Sequence, residues 1–165
     1  MAVEIERRFL VDRDISRLCR DGERIIQGYL PTTGQQTVRV RVAGVHGYLT
    51  IKGTRQGCSR EEHEWEISPT LAAEVIRHSC DGNVIEKTRY RTRHAGLVWE
   101  IDVFEGANAG LVIAEVELES PDQPVPLPDW VGREVTSDRR FSNSTLSRTP
   151  QHPRRLPTAR NFCAA

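Results

Sequence analysis

Acidic and basic side chains recur at every second residue in several segments of this chain, and the two signs are sorted. Glutamates alternate at residues 4–6, 62–66 and 115–119, whereas basic side chains alternate at residues 39–41 and 87–93. Clusters of carboxylate oxygens suit hard divalent cations, and rows of Arg and Lys suit phosphoryl oxygens. The combination is typical of metal-assisted phosphoryl transfer, in which catalysis consists mostly of positioning and charge neutralisation.

The alternation has a period of two residues, which predicts β-strands. The predicted strands cover residues 3–11, 24–30, 36–43, 48–53, 60–67, 84–94, 97–104 and 111–119. Turn residues separate them, among them Pro31, Gly34, Gly44 and the Ala95-Gly96 pair. Many antiparallel strands joined by short turns favour a mainly β fold, either a barrel or a sandwich.

Residue parity places the charges of these strands on one face, opposite the apolar residues. A sheet with one solvated face alternates in the same way, but such a face usually mixes signs because neighbouring like charges repel. Runs of mostly one sign on five strands therefore indicate bound partners that neutralise them. Closing the sheet around this face would concentrate both sets about an extended anion. The apolar face would then point outward, towards helices or a second subunit.

Helical patterns are few. Residues 69–78 form a predicted helix, with Ser68 as N-cap and Pro69 at the first helical position. Shorter helices are predicted at residues 14–20 and 138–147, and the proline-rich residues 121–128 predict a connecting loop. We expect one domain over residues 1–147 and a disordered C-terminal tail over residues 148–165, where few apolar residues remain.

Composition excludes several classes of function. The formal net charge is zero, so neither nucleic acid nor a membrane surface is an expected partner. No apolar run approaches the roughly 20 residues of a membrane helix, and the charged N-terminus does not resemble a signal peptide. The expected location is therefore cytoplasmic. The four cysteines are scattered without a CxxC pair, so a zinc or redox motif is not predicted.

Several motifs follow one another in order along the chain. An ExExK-like motif reads Glu4-Ile5-Glu6-Arg7-Arg8. Further characteristic stretches lie at residues 27–30, 38–41, 49–53, 85–90, 99–102 and 114–118. Together they resemble the CYTH superfamily, the triphosphate tunnel metalloenzymes, over residue 2 to about residue 147. That superfamily includes class IV adenylyl cyclases, thiamine triphosphatases and inorganic triphosphatases.

The resemblance implies a closed eight-stranded antiparallel β-barrel, or tunnel, with a few short helices outside it and one near its mouth. It implies one or two divalent metal ions, Mg²⁺ or Mn²⁺, on Glu4, Glu6, Asp102, Glu115 and Glu117. It implies triphosphate binding by Arg39, Arg41, Lys52, Glu62, Glu64, Lys87, Arg89 and Glu100, and catalytic roles for Glu4, Glu6 and Arg8. The helix at residues 138–147 would cap one mouth, with Arg139 or Arg140 reaching phosphate. Arg8 departs from the family, which prefers Lys there, and the two side chains are not interchangeable at a phosphate site.

The predicted function is metal-dependent hydrolysis of inorganic tripolyphosphate to pyrophosphate and phosphate. A class IV-type adenylyl cyclase and a thiamine or nucleoside triphosphatase are alternatives, although the short chain shows no evident pocket for a base. A non-catalytic polyphosphate-binding module is an alternative of another class, and a structural barrel with solvated charges is a third. The outward apolar face suits a homodimer.

Overall fold

Eight antiparallel strands close into a barrel in the computed structural model, which describes residues 2–54 and 56–152. The strands are β1 Ala2–Val11, β2 Glu23–Leu30, β3 Thr37–Ala43, β4 His46–Lys52, β5 Ser59–Ile67, β6 Val84–His94, β7 Leu97–Phe104, β8 Val112–Glu117 and β9 Val131–Glu134. Their order is β5-β4-β3-β2-β6-β7-β8-β1, and the β1–β5 pairing closes the ring. The predicted closed barrel is confirmed. The short strand β9, which alternation did not reveal, lies outside the ring.

Strand β1 is shared among three partners. Residues 2–5 pair with β5, and residues 6–10 pair with β8. Beyond the point where β5 leaves it, β1 pairs with β9 through Phe9 and Val11. The contact with β1 extends one residue beyond β9, where the amide of Val135 donates to the Arg8 carbonyl at 2.7 Å. Strand β9 therefore delivers the C-terminal segment to one end of the barrel.

The helix predicted at residues 69–78 is confirmed. Helix α1 spans Pro69–Ser79, and the Ser68 hydroxyl accepts from the amide of Leu71 at 3.2 Å. Its buried residues Ala72 and Ile76 pack against the outer face of β2 to β4. The helix covers apolar residues that the barrel turns outward, as expected for a barrel with a charged interior.

The predicted helix at residues 14–20 is wrong. The Ile15 carbonyl accepts from the amides of Leu18 and Cys19, which makes a single turn. Asp14 Oδ1 accepts from the amide of Ser16 at 2.8 Å, which favours a local turn, and Ile15, 2% exposed, packs in the outer core beside β1 and β7.

The predicted helix at residues 138–147 is divided in two. A 3₁₀ turn at Arg139–Phe141 is followed by helix α2, Asn143–Leu146. Ser142 separates them, because its backbone is extended and its hydroxyl accepts from the Thr145 amide as the N-cap of α2.

Two apolar clusters cover the outside of the barrel, one beneath α1 and the other outside β1, β7 and β8. Outside β1, β7 and β8, a core that includes Phe9, Trp99 and Ile101 is covered by residues of the connecting loops, such as Trp130. No helix among the described residues is long and apolar enough to cross a lipid bilayer. Of the predicted tail, residues 153–165 lie outside the described residues, whereas the amide of Gln151 donates to Asn108 Oδ1 at 3.0 Å.

Candidate active site inside the barrel

The charged face of the sheet turns inward around a cavity of about 240 Å³. Twelve residues predicted from the sequence line it: Glu4, Glu6, Arg8, Arg39, Arg41, Lys52, Glu62, Glu64, Arg89, Glu100, Glu115 and Glu117. The two other predicted residues, Lys87 and Asp102, are buried beside them and hydrogen-bonded to each other. The side chains that the sequence predicts to act together therefore lie together.

One ion-pair cluster joins β1, β4 and β5. Lys52 Nζ lies 2.8 Å from Glu4 Oε1 and 2.7 Å from Glu62 Oε2. Arg60 Nε donates to Glu4 Oε2 at 2.8 Å. Burial alone would raise the pKa of Glu4, but the charges of Lys52 and Arg60 outweigh it and hold that pKa far below its ordinary value. Glu4 is therefore a strongly held anion.

Arg60 is a cavity residue that the sequence interpretation missed. It shares the parity of Glu62 and Glu64 on β5, so the alternation rule already places it on the charged face. Because Arg60 is basic, the sequence interpretation did not group it with the glutamates of β5. The structure brings it to within 4.0 Å of Glu6 Oε1 as well as to Glu4.

A second cluster holds two arginines on one carboxylate. Arg39 and Arg41 each place Nη2 at 3.2 Å from Glu64, and Thr50 Oγ1 donates to the same carboxylate at 2.7 Å. Burial and the neighbouring Arg39 charge lower the pKa of Arg41. The buried Nε atoms of both arginines have no hydrogen-bond partner among the described residues. Buried donors of this kind require an acceptor, and an anion in the cavity would supply one.

The third cluster is the most deeply buried. Both oxygens of Asp102 accept from basic groups: Arg89 Nε at 2.6 Å, Arg89 Nη2 at 2.7 Å and Lys87 Nζ at 2.5 Å. Arg89 also contacts Glu100 and Glu115. Burial lowers the pKa of Lys87. With its oxygens already engaged, Asp102 is better suited to positioning Lys87 and Arg89 than to the metal binding that the sequence resemblance implied.

Three glutamates crowd together on β1 and β8. Glu6 lies directly opposite Glu117 in the β1–β8 ladder, and Arg8 lies opposite Glu115. Burial raises the pKa of Glu115, and Glu6 raises it further. Burial also raises the pKa of Glu117, to which Glu4, Glu100, Glu62 and Glu6 add. Repulsion among these carboxylates would be relieved by a hard cation.

The arrangement does not form a finished metal site. Within residues 2–54 and 56–152, no three acidic, histidine or cysteine side chains are grouped so that they could hold a metal ion. Glu4 and Asp102 are paired with basic side chains instead. The chemistry of Glu6, Glu115 and Glu117 nevertheless fits a divalent cation, since all three are acidic and the pKa values of Glu115 and Glu117 are raised by burial and then by neighbouring carboxylates.

Two further groups of cavity residues were not among the predicted site residues, although they lie in segments that the sequence had marked. Ser142, Asn143 and Ser144 line the cavity from the C-terminal segment, and Asn143 Oδ1 lies 3.5 Å from Lys87 Nζ. Tyr29 lines it from β2, where Gln27 Nε2 donates to the Tyr29 hydroxyl at 2.7 Å and burial raises the tyrosine pKa to about 12.

The predicted reach of Arg139 or Arg140 to phosphate is not seen in the structure. Both side chains are exposed, and neither lines the cavity. Arg140 Nη2 instead donates to Asp138 Oδ2 at 2.7 Å.

Comparisons with known proteins agree with this architecture. The family model described as the CYTH domain matches residues 2–151. An inorganic triphosphatase of Acetivibrio thermocellus is 45% identical over 150 residues, which cover 91% of this chain and 96% of the relative. An inorganic triphosphatase of Nitrosomonas europaea is 38% identical over 152 residues, covering 87% and 96%. A solved structure of an inorganic triphosphatase superimposes with a TM-score of 0.64 at 35% identity, covering 89% of this chain and 99% of that one.

Proposed function

The chain belongs to the CYTH domain family, and on that premise we propose that it hydrolyses inorganic tripolyphosphate to pyrophosphate and phosphate. Its relatives at 45% and 38% identity are inorganic triphosphatases. The observation that carries the proposal is the enclosed cavity in which buried arginine Nε groups lack partners beside carboxylates that repel one another. A polyanion with its counter-cation would satisfy both sets.

The basic residues bind and orient the substrate. Arg39 and Arg41 present their unpartnered Nε groups to phosphoryl oxygens, and Lys52 supplies a point charge. Arg89 is held by Asp102 and its neighbouring carboxylates, so its guanidinium is fixed before substrate arrives. Fixed positive groups stabilise the charge that develops on the equatorial oxygens and on the pyrophosphate leaving group.

The carboxylates divide into two roles. Glu4, whose pKa is far below its ordinary value, is a weak base and serves to hold Lys52 and Arg60. Glu6, Glu115 and Glu117 crowd together on β1 and β8, so we assign to them the divalent cation, and a carboxylate oxygen of this group that does not face the cation would orient a water and accept its proton. The water attacks the terminal phosphorus in line.

A divalent cation, Mg²⁺ or Mn²⁺, completes the proposal. Glu6, Glu115 and Glu117 would contribute carboxylate ligands to it together with the substrate, since these three alone are not grouped as a metal site, and when bound it would neutralise phosphoryl oxygens as a Lewis acid. We further propose that residues 1–147 form the catalytic unit. Cytoplasmic location and a homodimer stay predictions from the sequence.

The cavity lining favours a bare phosphate chain over a nucleotide. Of the described residues that line it, only Tyr29 and Val98 offer an aromatic or aliphatic surface, and the others are charged or carry hydroxyl or amide groups. A cyclase acting on ATP or a thiamine triphosphatase must also hold an organic group, which binds best against apolar walls.

A substrate panel tests the proposal. The full-length protein is incubated with tripolyphosphate, ATP or thiamine triphosphate, each with Mg²⁺, Mn²⁺ or EDTA. We expect the highest kcat/KM with tripolyphosphate, one pyrophosphate formed for each phosphate, and loss of turnover in EDTA. Formation of cyclic AMP from ATP would identify a cyclase. Tight tripolyphosphate binding by calorimetry with no phosphate release in either metal would identify a binding module.

Replacing Arg41 with Met removes one proposed phosphate contact. A charge-assisted hydrogen bond contributes about 1.5–3 kcal/mol, so the KM for tripolyphosphate should rise about 10- to 150-fold. Arg24→Met is the matched control, because Arg24 also lies on a barrel strand but is exposed and paired with Glu86. Equal KM values in the two variants would remove Arg41 from the substrate site.

A further inference from the structure

Glu6 has neighbours of opposite sign on the two sides of β1. In the β1–β8 ladder it lies directly opposite Glu117, another carboxylate of the crowded acidic group. On the side of β1 that faces β5, Arg60 Nη2 lies 4.0 Å from Glu6 Oε1. The Glu6 carboxylate is therefore held between a like charge and a guanidinium.

Arg60 is anchored on the preceding inward-facing residue of β1, which is Glu4. The two residues are direct partners in the β1–β5 ladder, and Arg60 Nε donates to Glu4 Oε2 at 2.8 Å. Glu4 has a second cationic partner in Lys52, whose Nζ lies 2.8 Å from Glu4 Oε1. Replacement of Arg60 would thus leave Glu4 paired, so the position can be changed without creating an isolated buried charge.

The guanidinium of Arg60 also faces the space in which a phosphate chain would lie. Arg60 lines the cavity, and its side chain is 19% exposed. The bond to Glu4 uses Nε, which leaves the N–H donors of both terminal nitrogens for other acceptors. Phosphoryl oxygens are preferred partners of such a planar fork.

A divalent cation and Arg60 compete for the same carboxylate in the empty barrel. Glu6 is one of the three glutamates assigned to the cation, and an ion bound there would lie close to the positive charge of Arg60. Like charges a few ångströms apart in a partly buried site repel strongly. A phosphate chain removes this conflict, because its oxygens can accept from Arg60 and coordinate the cation at the same time.

We propose that Arg60 is a positioning residue that serves as the counter-ion of Glu6 in the empty barrel, so that the divalent cation binds tightly only together with a phosphate chain. The coupling is reciprocal, since the cation must strengthen binding of the anion by the same factor. The identity of the anion rests on the proposed function, whereas the competition between Arg60 and the cation can be measured without any turnover.

Binding of Mn²⁺ to the free protein tests the competition. Mn²⁺ alone is titrated into the full-length protein, and the unbound ion is measured by electron paramagnetic resonance. We expect Arg60→Met to bind Mn²⁺ about tenfold more tightly than the wild type, because the competing charge is gone while the carboxylates remain. Arg60→Gln, a second neutral variant, should show the same gain. Arg60→Lys keeps the charge and should stay within about twofold of the wild type.

Two controls separate local competition from a general effect of charge. Arg41→Met removes an equal charge from the same cavity, where Arg41 pairs with Glu64. Arg24→Met removes one from the outer surface, where Arg24 pairs with Glu86. Both should bind Mn²⁺ within about threefold of the wild type. The proposal is overturned if neither neutral variant of Arg60 gains affinity, or if Arg60→Lys or Arg41→Met gains as much as they do.

The coupling is tested with methylenediphosphonate, a diphosphate analogue that cannot be hydrolysed. Its dissociation constant is measured by calorimetry with and without Mn²⁺, and complex formation in solution is the same for every variant. We expect Mn²⁺ to strengthen binding of the analogue several-fold more in the wild type than in Arg60→Met, and an equal effect in both would contradict the proposal. If the wild type hydrolyses no tripolyphosphate, the proposed function fails, while the Mn²⁺ titration still decides the role of Arg60.

Discussion

Replacing Glu6 with Gln should lower kcat for tripolyphosphate by about a hundredfold, the largest loss we expect from a single isosteric change. The substitution keeps the shape of the side chain but removes one of the three carboxylates proposed to hold the cation. Loss of such a ligand costs about 3 kcal/mol of transition-state stabilisation, which corresponds to about a hundredfold in rate.

The stability of the same variant separates this role from a structural one. Glu6 raises the pKa of both Glu115 and Glu117 by like-charge repulsion, so its neutralisation relieves strain, and Tm should not fall. Glu61→Gln is the matched control, because Glu61 is exposed on β5 of the same barrel. Wild-type turnover of Glu6→Gln at saturating metal would refute the assignment, as would an activity loss that merely follows a lower Tm.

Asp102→Asn should lower the free energy of unfolding by about 3–5 kcal/mol, because it leaves two buried cations without their shared carboxylate. Asp102 is fully buried, and both of its oxygens accept from Lys87 and Arg89. Chemical denaturation at neutral pH measures the change. The double variant Lys87→Met/Asp102→Asn removes one cation together with the carboxylate, so it should recover part of the loss.

The pH dependence of this effect has a definite sign. Burial would raise the pKa of Asp102, but Arg89 and Lys87 lower it well below its ordinary value of 3.8. The ionised carboxylate therefore stabilises the fold at pH values above 3.8, and this stabilisation is lost as the pH falls below 3.8 towards the lowered pKa. The difference between wild type and Asp102→Asn should be full at neutral pH and shrink in acid. A difference that is constant down to pH 3 would contradict the ion-pair explanation.

Strand alternation was sufficient to predict a mainly β fold and most of the cavity lining, whereas the choice of a closed barrel over a sandwich came from the family resemblance. The bounds of β6 and β7 agree with the prediction because the two-residue Ala95-Gly96 turn marks them, with both residues at positive φ. Glu4 and Arg39 line the cavity as parity predicts. These successes share a cause, since the alternation of side chains is a local property of each strand.

The features that the sequence did not predict depend on contacts between distant segments. Asp102 lies opposite Arg89 in the β6–β7 ladder, and only that register shows that its oxygens face cations. Strand β9 is placed by its pairing with β1, and the division of the predicted helix at residues 138–147 accompanies the burial of Phe141 and Leu146. These segments are short and irregular in sequence, so they show no periodicity from which their structure could be predicted.

The placement of lysine has a practical consequence. The sequence contains two lysines, Lys52 and Lys87, and both are buried in the barrel at 5% and 1% exposure. The arginines that supply the rest of the basic charge do not react with amine-directed acylating reagents. Such a reagent therefore finds no side-chain amine on the outer surface, and any side-chain acylation detected by mass spectrometry reports access to the interior. Acylation of these two lysines therefore measures whether the tunnel is occupied, without an engineered label.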